Sequence, residues 1–300
     1  MARAEGRELP QGTDGWAKLL LTMQLPALSK TAQDIAQCAA KDSSSCTQLA
    51  ALVLRDAGLT TKLLRLAASR LYNPHGLRIR TVSRAVGLLG FNVVCEIALG
   101  IAVLEAFGGG RTRCAQAAAE AAHALRAAVQ ARGMAEVAQL HDSEEVFIAA
   151  LLQGLGRLAF WSAVPSLLPE WLSATAESPV IARARVRQRI DLDLDDLSLL
   201  LNAELRLSPL LIADDDPPGK AAARLAHRWV EALSPGGHAA DFDAALHEAA
   251  VRFNVPPEAL LEAAIAHAEH ADALIEQLFD ADTRALLPAI RAIGSAPSPV

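Results

Sequence analysis

The sequence predicts an all-α fold, and three observations lead to that prediction. Hydrophobic residues make up 52% of the 300 residues and charged residues 21%, a balance typical of chains that bury a core. Apolar positions recur at helical rather than strand spacing in nearly every segment. The bias towards Ala, Leu, Arg, Glu and Gln favours helix, because these side chains lose little conformational entropy there.

The N-terminal part is predicted to contain six helices. Thr60 and Thr81 stand at N-cap positions, where a hydroxyl can accept a hydrogen bond from a free helical N–H group. The glycines Gly108-Gly109-Gly110 then predict a flexible joint. The predicted helices span Gly15–Met23, Thr31–Ala40, Thr47–Arg55, Thr60–Leu71, Thr81–Gly90 and Asn92–Phe107.

The rest of the chain is predicted to be helical as well. Arg132-Gly133 predicts a break after the first of these helices. The acidic residues between Asp191 and Asp196 precede a Leu-rich helix, whose positive N-terminal dipole end favours carboxylates. The other predicted helices span Cys114–Ala131, Ser143–Trp161, Pro165–Ala176, Pro179–Ile190, Ala221–Ala232, Asp241–Phe253, Pro257–Phe279 and Asp282–Ile293.

The helices are predicted to form one main domain with an extension. An N-terminal helical subdomain packs on a helical core, and a C-terminal helical segment closes against both. The ranges are 1–14 for a flexible tail, 15–107 and 111–211 for the two parts of the 15–211 domain, 214–293 for the extension and 294–300 for a second flexible tail.

Three stretches of the sequence resemble, in order and spacing, the HDOD domain. That family is a helical output module of bacterial signalling, related to HD-type metal phosphohydrolases, so the resemblance implies an HD-like helical core. It covers residues 16–211, and the helices after Asp214 resemble the extensions that such proteins carry. The stretches are Leu25–Leu28 with Leu49–Asp56 and Leu59–Ser69, then Ile79–Gly90, and finally Phe147–Ala159.

The resemblance also implies that the metal site of the wider superfamily is lost. HD hydrolases carry adjacent His and Asp ligands on the helix that corresponds to the third stretch, and Gln153 and Gly154 stand there in this chain. Gln is a poor substitute for imidazole, and Gly offers no ligand. Other family histidines would fall near Cys114, Asp195 and Asp214, where the sequence has none. We therefore expect no bound metal, no other cofactor and no catalysis.

Two histidine patterns nevertheless suit a metal. His141-Asp142 spells the HD dipeptide, but it precedes a predicted helix, where a solvated capping role is expected; a surviving hydrolase would need a rebuilt site, for instance from His123 and His141. His267 and His270 lie on one face of a predicted helix and could bind a divalent ion together with a third ligand. The alternative for that pair is a solvated polar face.

Four arginines alternate along one predicted helix: Arg183, Arg185, Arg187 and Arg189. Because successive helical residues turn by about 100°, these side chains form a basic collar around the helix rather than a strip. A collar of this kind could bind an anion such as a nucleotide phosphate. It could equally form salt bridges with the acidic residues 191–196.

The resemblance implies a non-catalytic regulatory module of bacterial signal transduction that binds a signalling protein or an effector. A nucleotide-binding effector protein without turnover, for example one for a cyclic dinucleotide, is the alternative, and a metal-dependent phosphohydrolase is a third reading. The net charge of −6 makes nucleic acid an unexpected partner. The sequence has no signal peptide and no apolar run of about 18 residues, so we expect a cytoplasmic location and no membrane partner.

Overall fold

A computed structural model describes residues 3–4, 7–23, 34–35, 37–38, 44–68, 73, 75–108, 114–171, 177–205 and 207–293. Helices dominate these residues, which confirms the all-α prediction. The helices are α1 (Gly12–Thr22), α2 (Cys46–Val53), α3 (Ala57–Ala67), α4 (Val82–Leu89), α5 (Phe91–Gly108), α6 (Ala115–Val137), α7 (Ser143–Gln153), α8 (Leu155–Leu167), α9 (Pro179–Ile190), α10 (Leu194–Leu205), α11 (Pro209–Ile212), α12 (Pro218–Leu233), α13 (Ala239–Phe253), α14 (Pro257–Leu278) and α15 (Ala281–Ala285).

Two further short elements complete the described structure. Arg3–Ala4 and Arg7–Glu8 pair as antiparallel two-residue strands ahead of α1. Pro169–Trp171 forms a 3-10 helix after α8, where the sequence predicted an α-helix over residues 165–176; Pro165 instead lies inside α8. Residues 172–176 of that prediction and the glycines 109–110 lie outside the described residues.

Side-chain caps fix the starts of the N-terminal helices. Ser45 and Gln48 form a capping box at α2, in which each side chain accepts a hydrogen bond from the other residue's backbone N–H. The predicted cap at Thr81 is confirmed by the 3.2 Å bond from the Arg84 N–H to its hydroxyl. At α3 the cap is Asp56 rather than Thr60, because the Asp56 carboxylate accepts from the Leu59 N–H.

Helix α6 runs through the middle of the described structure and is buried along almost its whole length. The predicted break at Arg132-Gly133 is wrong, since α6 continues to Val137. Gly133 serves helix packing instead: a Cβ atom there would lie 2.6 Å from the ring nitrogen Nδ1 of His267 on α14. Helices α7, α12 and α14 pack along the length of α6.

The single helix predicted over residues 143–161 is divided at Gly154 into α7 and α8. Two residues later, Gly156 brings α8 against α10, because its Cβ position lies only 2.4 Å from the Ser198 backbone nitrogen. The Gly156 N–H donates to the Ser198 hydroxyl at 2.9 Å. Glycine is thus required at residue 156, where these two backbones meet.

The stretch Ser143–Pro165 is, among the described residues, long and apolar enough by length and composition to cross a membrane. The expectation that no run reaches this length is therefore wrong by that measure. Of the most apolar part of this stretch, 89% is buried inside the protein, as in a core helix.

The ends of the chain pack on this core as well. Trp16 of α1 meets Phe160 of α8 edge to face, with ring centroids 5.3 Å apart, so α1 lies on the core helices. The predicted helix over residues 282–293 is wrong beyond Ala285, where α15 ends. The following segment is held by Arg291, whose backbone N–H donates to the Leu233 carbonyl at the end of α12.

We expect Gly156→Ala to lower the free energy of unfolding by about 1–3 kcal/mol, because the added methyl group meets backbone that cannot turn aside. Urea denaturation monitored by circular dichroism measures the change. Gly87→Ala is the matched control: Gly87 is exposed within α4 and nothing lies within 4 Å of its Cβ position. The control should raise stability by about 0.5–1 kcal/mol, and equal effects of the two variants would contradict the close approach of α8 and α10.

Candidate functional site

Among the described residues, charged and imidazole side chains from five helices meet in a group that we call the polar cluster. Its members come from α6, α8, α9, α10 and α12, and four of them are only 2% exposed: Glu120, His123, Arg157 and His227. Buried ionisable groups of this kind are costly unless paired, so their contacts indicate what the site can do. The polar cluster consists of Glu120, His123, Arg157, Arg183, Asp195, His227 and Glu231.

The two histidines form a directed hydrogen-bond chain. His227 Nε2 lies 2.8 Å from the Ala150 carbonyl oxygen, so this nitrogen carries the proton and donates. His227 Nδ1 is then an acceptor, and it lies 3.2 Å from His123 Nε2, which donates to it. Both rings are neutral in this assignment, and each has one nitrogen lone pair directed inside the protein.

Burial first, and then neighbouring positive charge, keeps both rings neutral. Burial lowers the pKa of His227 to about 3, and the positive charge of Arg157 is the next largest cause. The pKa of His123 is lowered well below its usual range by burial, by His227 and by Arg157. Protonating either ring would leave a cation facing both a second imidazole and the guanidinium groups.

Two ion pairs neutralise the arginines of the polar cluster. Arg157 donates from Nε and Nη2 to one carboxylate oxygen of Asp195, each at 2.6 Å. Arg183 forms a short ion pair with Glu231, and Arg157 Nη1 lies 3.8 Å from the same Glu231 oxygen. Burial alone would raise the pKa of Asp195, but the two guanidinium charges outweigh it and lower that pKa.

Glu120 is the unmatched member of the polar cluster. Both of its carboxylate oxygens are buried, and neither has a hydrogen-bond partner among the described residues. Burial raises its pKa, although Arg157 and Arg183 oppose the change. Asp195 and Glu231 already balance the two arginines, so the cluster as a whole is neutral when Glu120 carries a proton.

Gln153 and Gly154 border the polar cluster at the junction of α7 and α8. A Cβ at Gly154 would lie 3.3 Å from the Cβ of Ala124, which is the residue after His123. Asp195 does lie in the cluster, whereas Asp214 is exposed in the loop before α12 and Cys114 is buried at the N-cap of α6. The junction is thus close to ionisable side chains, as expected for the place of a metal site.

These residues do not fit a divalent metal ion. The two imidazoles are bonded to each other and to a carbonyl group, while two guanidinium groups would repel a cation placed beside them. Within the part of the chain that the structure describes, no group of three or more His, Cys, Asp or Glu residues could hold a metal. The chemistry of the donors therefore differs from that of an HD hydrolase, which binds its metal through His and Asp.

The other predicted metal ligands lie apart from the polar cluster. His141 is exposed, and Asp142 is the N-cap of α7 in a left-handed conformation, with φ of 59°, without a side-chain capping bond. Because Gln153 ends the same helix, His141 is about 15 Å or more from the junction at 1.5 Å per residue. His123 and His141 therefore do not come together.

His267 and His270 stack with ring centroids 6.1 Å apart on α14. His267 Nδ1 lies 2.8 Å from the Ala263 carbonyl oxygen, and its Nε2 lies 3.5 Å from a carboxylate oxygen of Glu136 on α6. The pKa of Glu136 is lowered to about 2, first by its hydrogen bond with His267. This arrangement joins α14 to α6; the hypothesis that the pair binds metal stays untested.

The four arginines of the predicted collar have different environments. Arg183 is directed inwards to the polar cluster, and Arg185 forms a short ion pair with Glu177. Arg187 is 71% exposed and lies 3.2 Å from Asp193, whereas the Arg189 guanidinium lies over the ring of Trp171 at 5.9 Å. The four side chains do not converge on one point.

The sequence prediction missed most of the polar cluster. Glu120, Arg157, His227 and Glu231 were not predicted as site residues, because nothing in the sequence aligns α12 with α6. One signal was available: Gln116, Glu120, His123 and Gln130 recur at spacings of four, three and seven residues in an Ala-rich helix. That pattern places polar side chains on one helical face, and all four are buried.

The described residues form an all-α core, in which the helix that carries Gln153 ends at Gly154 and a second helix begins at Leu155. A family model described as the HDOD domain matches residues 25–213, which is more than half of the chain. The chain belongs to the HDOD family. A search of curated proteins gives no match.

Three solved structures are similar in fold. An HDOD domain protein of unknown function from Geobacter sulfurreducens shares 17% identity with a TM-score of 0.63, over 88% of this chain and 97% of that chain. A protein from Shewanella amazonensis SB2B, described as a candidate phosphohydrolase, shares 16% identity with a TM-score of 0.57, over 87% and 95%. A candidate signal transduction protein from Marinobacter aquaeolei VT8 shares 19% identity with a TM-score of 0.57, over 87% and 61%. At these identities the likeness establishes the fold alone.

The neutral histidines predict a measurable pH dependence. A histidine whose pKa is about 3 in the folded protein takes up a proton near pH 6.5 in the unfolded chain. As the pH falls from 6.5 towards 3, proton binding therefore favours the unfolded state, and the free energy of unfolding decreases over this range. His227→Gln keeps a donor for Ala150 and an acceptor for His123 without the titration. We expect the slope of unfolding free energy against pH, between pH 6 and 4, to fall by up to about 1.4 kcal/mol per pH unit in His227→Gln.

Denaturation in urea at a series of pH values gives these slopes. His141→Gln is the matched control, since His141 is exposed and should leave the slope as it is in the parent protein. A His227→Gln slope equal to that of the parent would show that His227 titrates normally in the folded protein.

Proposed function

We propose that the protein is a non-catalytic regulatory module of bacterial signal transduction, which acts in the cytoplasm by binding a signalling protein or a small effector. One observation carries the proposal: the residues around the Gln153-Gly154 junction are ion pairs and neutral, mutually bonded histidines. In metal hydrolases the bound metal produces the hydroxide nucleophile at neutral pH. In this polar cluster the two imidazoles are bonded to each other and kept neutral by their lowered pKa values, and two carboxylates are paired with arginines, which is unlike a set of metal ligands.

The polar cluster suits a structural part in such a module. Its members tie five helices together through hydrogen bonds and through ion pairs in which the arginines are buried and the carboxylates are partly exposed, and leaving such an arginine without its partner is costly. A displacement of one of these helices would therefore alter its ion pairs and hydrogen bonds with the others. The fold likeness to the candidate signal transduction protein from Marinobacter aquaeolei VT8 is compatible with this role.

The two other functions have less support from the side chains. For a nucleotide effector, the collar arginines do not converge, and three of them have carboxylate partners. For a phosphohydrolase, support comes from the fold likeness to the candidate phosphohydrolase from Shewanella amazonensis SB2B. Neither observation outweighs the composition of the polar cluster.

We expect manganese, iron and zinc to leave the melting temperature unchanged, since a ligand that binds only the folded state must raise it. We also expect no hydrolysis of bis(p-nitrophenyl) phosphate with any of these metals. His123→Gln, which keeps a donor towards His227, is the matched variant and should behave identically. Stoichiometric metal that is lost in His123→Gln, together with hydrolysis, would overturn the proposal.

We expect equilibrium dialysis to detect no saturable binding of a cyclic dinucleotide at low or moderate salt. The double variant Arg187→Gln/Arg189→Gln tests the collar, and Arg55→Gln, with 59% exposure elsewhere on the surface, is its control. Binding that weakens with salt and is lost only in the double variant would favour the nucleotide effector instead.

A further inference from the structure

A cleft of about 260 Å³ lies between α6, α12 and α14, beside the segment 290–293. None of the described residues that line it belongs to the polar cluster, so it is separate from the Gln153-Gly154 junction. Its volume lies below the range of about 300–1,000 Å³ that is usual for small-molecule sites, and it suits one large apolar side chain. The apolar residues of the lining include Val230, Leu233, Ile265, Ile290 and Ile293.

One edge of the cleft is a face of α14 that carries exposed carboxylates. Six positions of this helix fall within about 80° of one another at 100° per residue, and all six residues are exposed. Three of them, Ile265, Glu269 and Asp272, also line the cleft, and Ile265 is 43% exposed. The six are Ile265 and five acidic residues that we call the acidic stripe: Glu258, Glu262, Glu269, Asp272 and Glu276.

The acidic stripe lacks the basic residues that usually accompany such a helix face. Exposed helices often place a lysine or arginine three or four positions from a carboxylate, whereas like charges at that spacing destabilise the helix. The sequence has no lysine or arginine between Arg252 and Arg284. Within the described part of the chain, Asp272 is paired with Arg126 and the other four members of the stripe have no ion-pair partner.

The two arginines in the lining of the cleft do not balance this charge. Arg126, whose side chain is only 14% exposed, donates twice to one carboxylate oxygen of Asp272, at 3.1 and 3.2 Å. The Arg291 guanidinium donates at 2.5 Å to the carbonyl groups of Ala232 and Gly237. The five carboxylates outnumber these two cations, so the edge attracts a basic partner and repels nucleic acid and anionic lipid.

We propose that the cleft and the acidic stripe together dock a basic amphipathic helix of a partner protein. One large apolar side chain of that helix enters the cleft against Ile265, and its lysines or arginines pair with the acidic stripe. Recognition of a helix in an apolar groove is a recurring mode of binding, in which a few large side chains in pockets contribute most of the affinity. That this helix belongs to the signalling partner of the module rests on the function proposed above, whereas the docking does not.

Three synthetic helical peptides are the probes for this proposal. The first, the Lys peptide, consists of alanine, leucine and lysine with one tryptophan on its apolar face. The second has glutamine in place of every lysine, and the third has alanine in place of the tryptophan. Fluorescence anisotropy of the labelled peptides, titrated with the full chain, measures binding. We expect saturable binding of the Lys peptide that weakens with added salt, and several-fold weaker binding of the other two.

A triple variant tests the acidic stripe. Glu262→Gln/Glu269→Gln/Glu276→Gln should weaken the Lys peptide several-fold and leave the glutamine peptide unchanged, because only the charge contacts are lost. The matched control removes three exposed carboxylates outside the stripe and should not change either affinity. It is Asp14→Asn/Glu204→Gln/Asp243→Asn.

A single variant tests the cleft. Ile265→Ser should weaken the Lys peptide and the glutamine peptide alike, because both place the same tryptophan in the cleft. Val251→Ser is the matched control, since Val251 is 69% exposed on α13 and lies outside the lining of the cleft. Melting temperatures show whether each variant is folded.

The proposal is overturned if the Lys peptide does not bind, if the two triple variants weaken it equally, or if Ile265→Ser leaves it unchanged. Sedimentation equilibrium of the protein alone tests for a different occupant. Self-association that is lost in Ile265→Ser and kept in Val251→Ser would assign the cleft to a second copy of this chain, which would also overturn the proposal.

These outcomes leave the function proposed above unaffected, because that function is judged by metal binding and hydrolysis. Conversely, a catalytic metal at the Gln153-Gly154 junction would overturn the regulatory function without affecting binding of the peptide at the cleft.

Discussion

The fold depends on the close packing of other helices around α6. Eleven of the 23 residues in Ala115–Val137 are alanine, and small side chains let neighbouring helices approach closely. Gly133 takes this to its limit, because the ring of His267 occupies the space of its missing side chain. Because this helix is buried along almost its whole length, most of its polar residues must find partners inside the protein.

That constraint explains the chemistry of the core. Glu120, His123 and Gln130 lie on one buried face of α6, and each of these polar side chains is accommodated in a different way. His123 is bonded to a second neutral imidazole, Gln130 donates to a carbonyl of α14, and burial raises the pKa of Glu120, which favours its uncharged form. The arginines are neutralised by carboxylates that remain partly exposed, so the ion pairs are not fully desolvated. In this arrangement both imidazoles stay neutral near pH 7, because burial lowers their pKa values.

Local patterns predicted the fold well and the site poorly. Periodicity and caps gave the helices, and the positions Gln153 and Gly154 do border a polar cluster. The errors came where a residue acts across helices: Gly133 suggested a break because its contact with His267, more than 130 residues away, is not visible in the local sequence. The same applies to His227 and Glu231, whose approach to His123 and Arg183 depends on how α12 lies against the core. Long-range packing overrides local propensity at these places.

The helices after residue 213 contribute side chains to the polar cluster and to the lining of the cleft. The family model ends at residue 213, but the fold likeness to the Geobacter sulfurreducens protein covers 88% of the chain and so reaches beyond it. Helix α12 contributes His227 and Glu231 to the polar cluster on one face, and Trp229, two residues from each, to the cleft. Since residues two apart on a helix face nearly opposite directions, one rigid helix connects the two sites. The same helix therefore contributes side chains to the polar cluster on one face and to the cleft on the other.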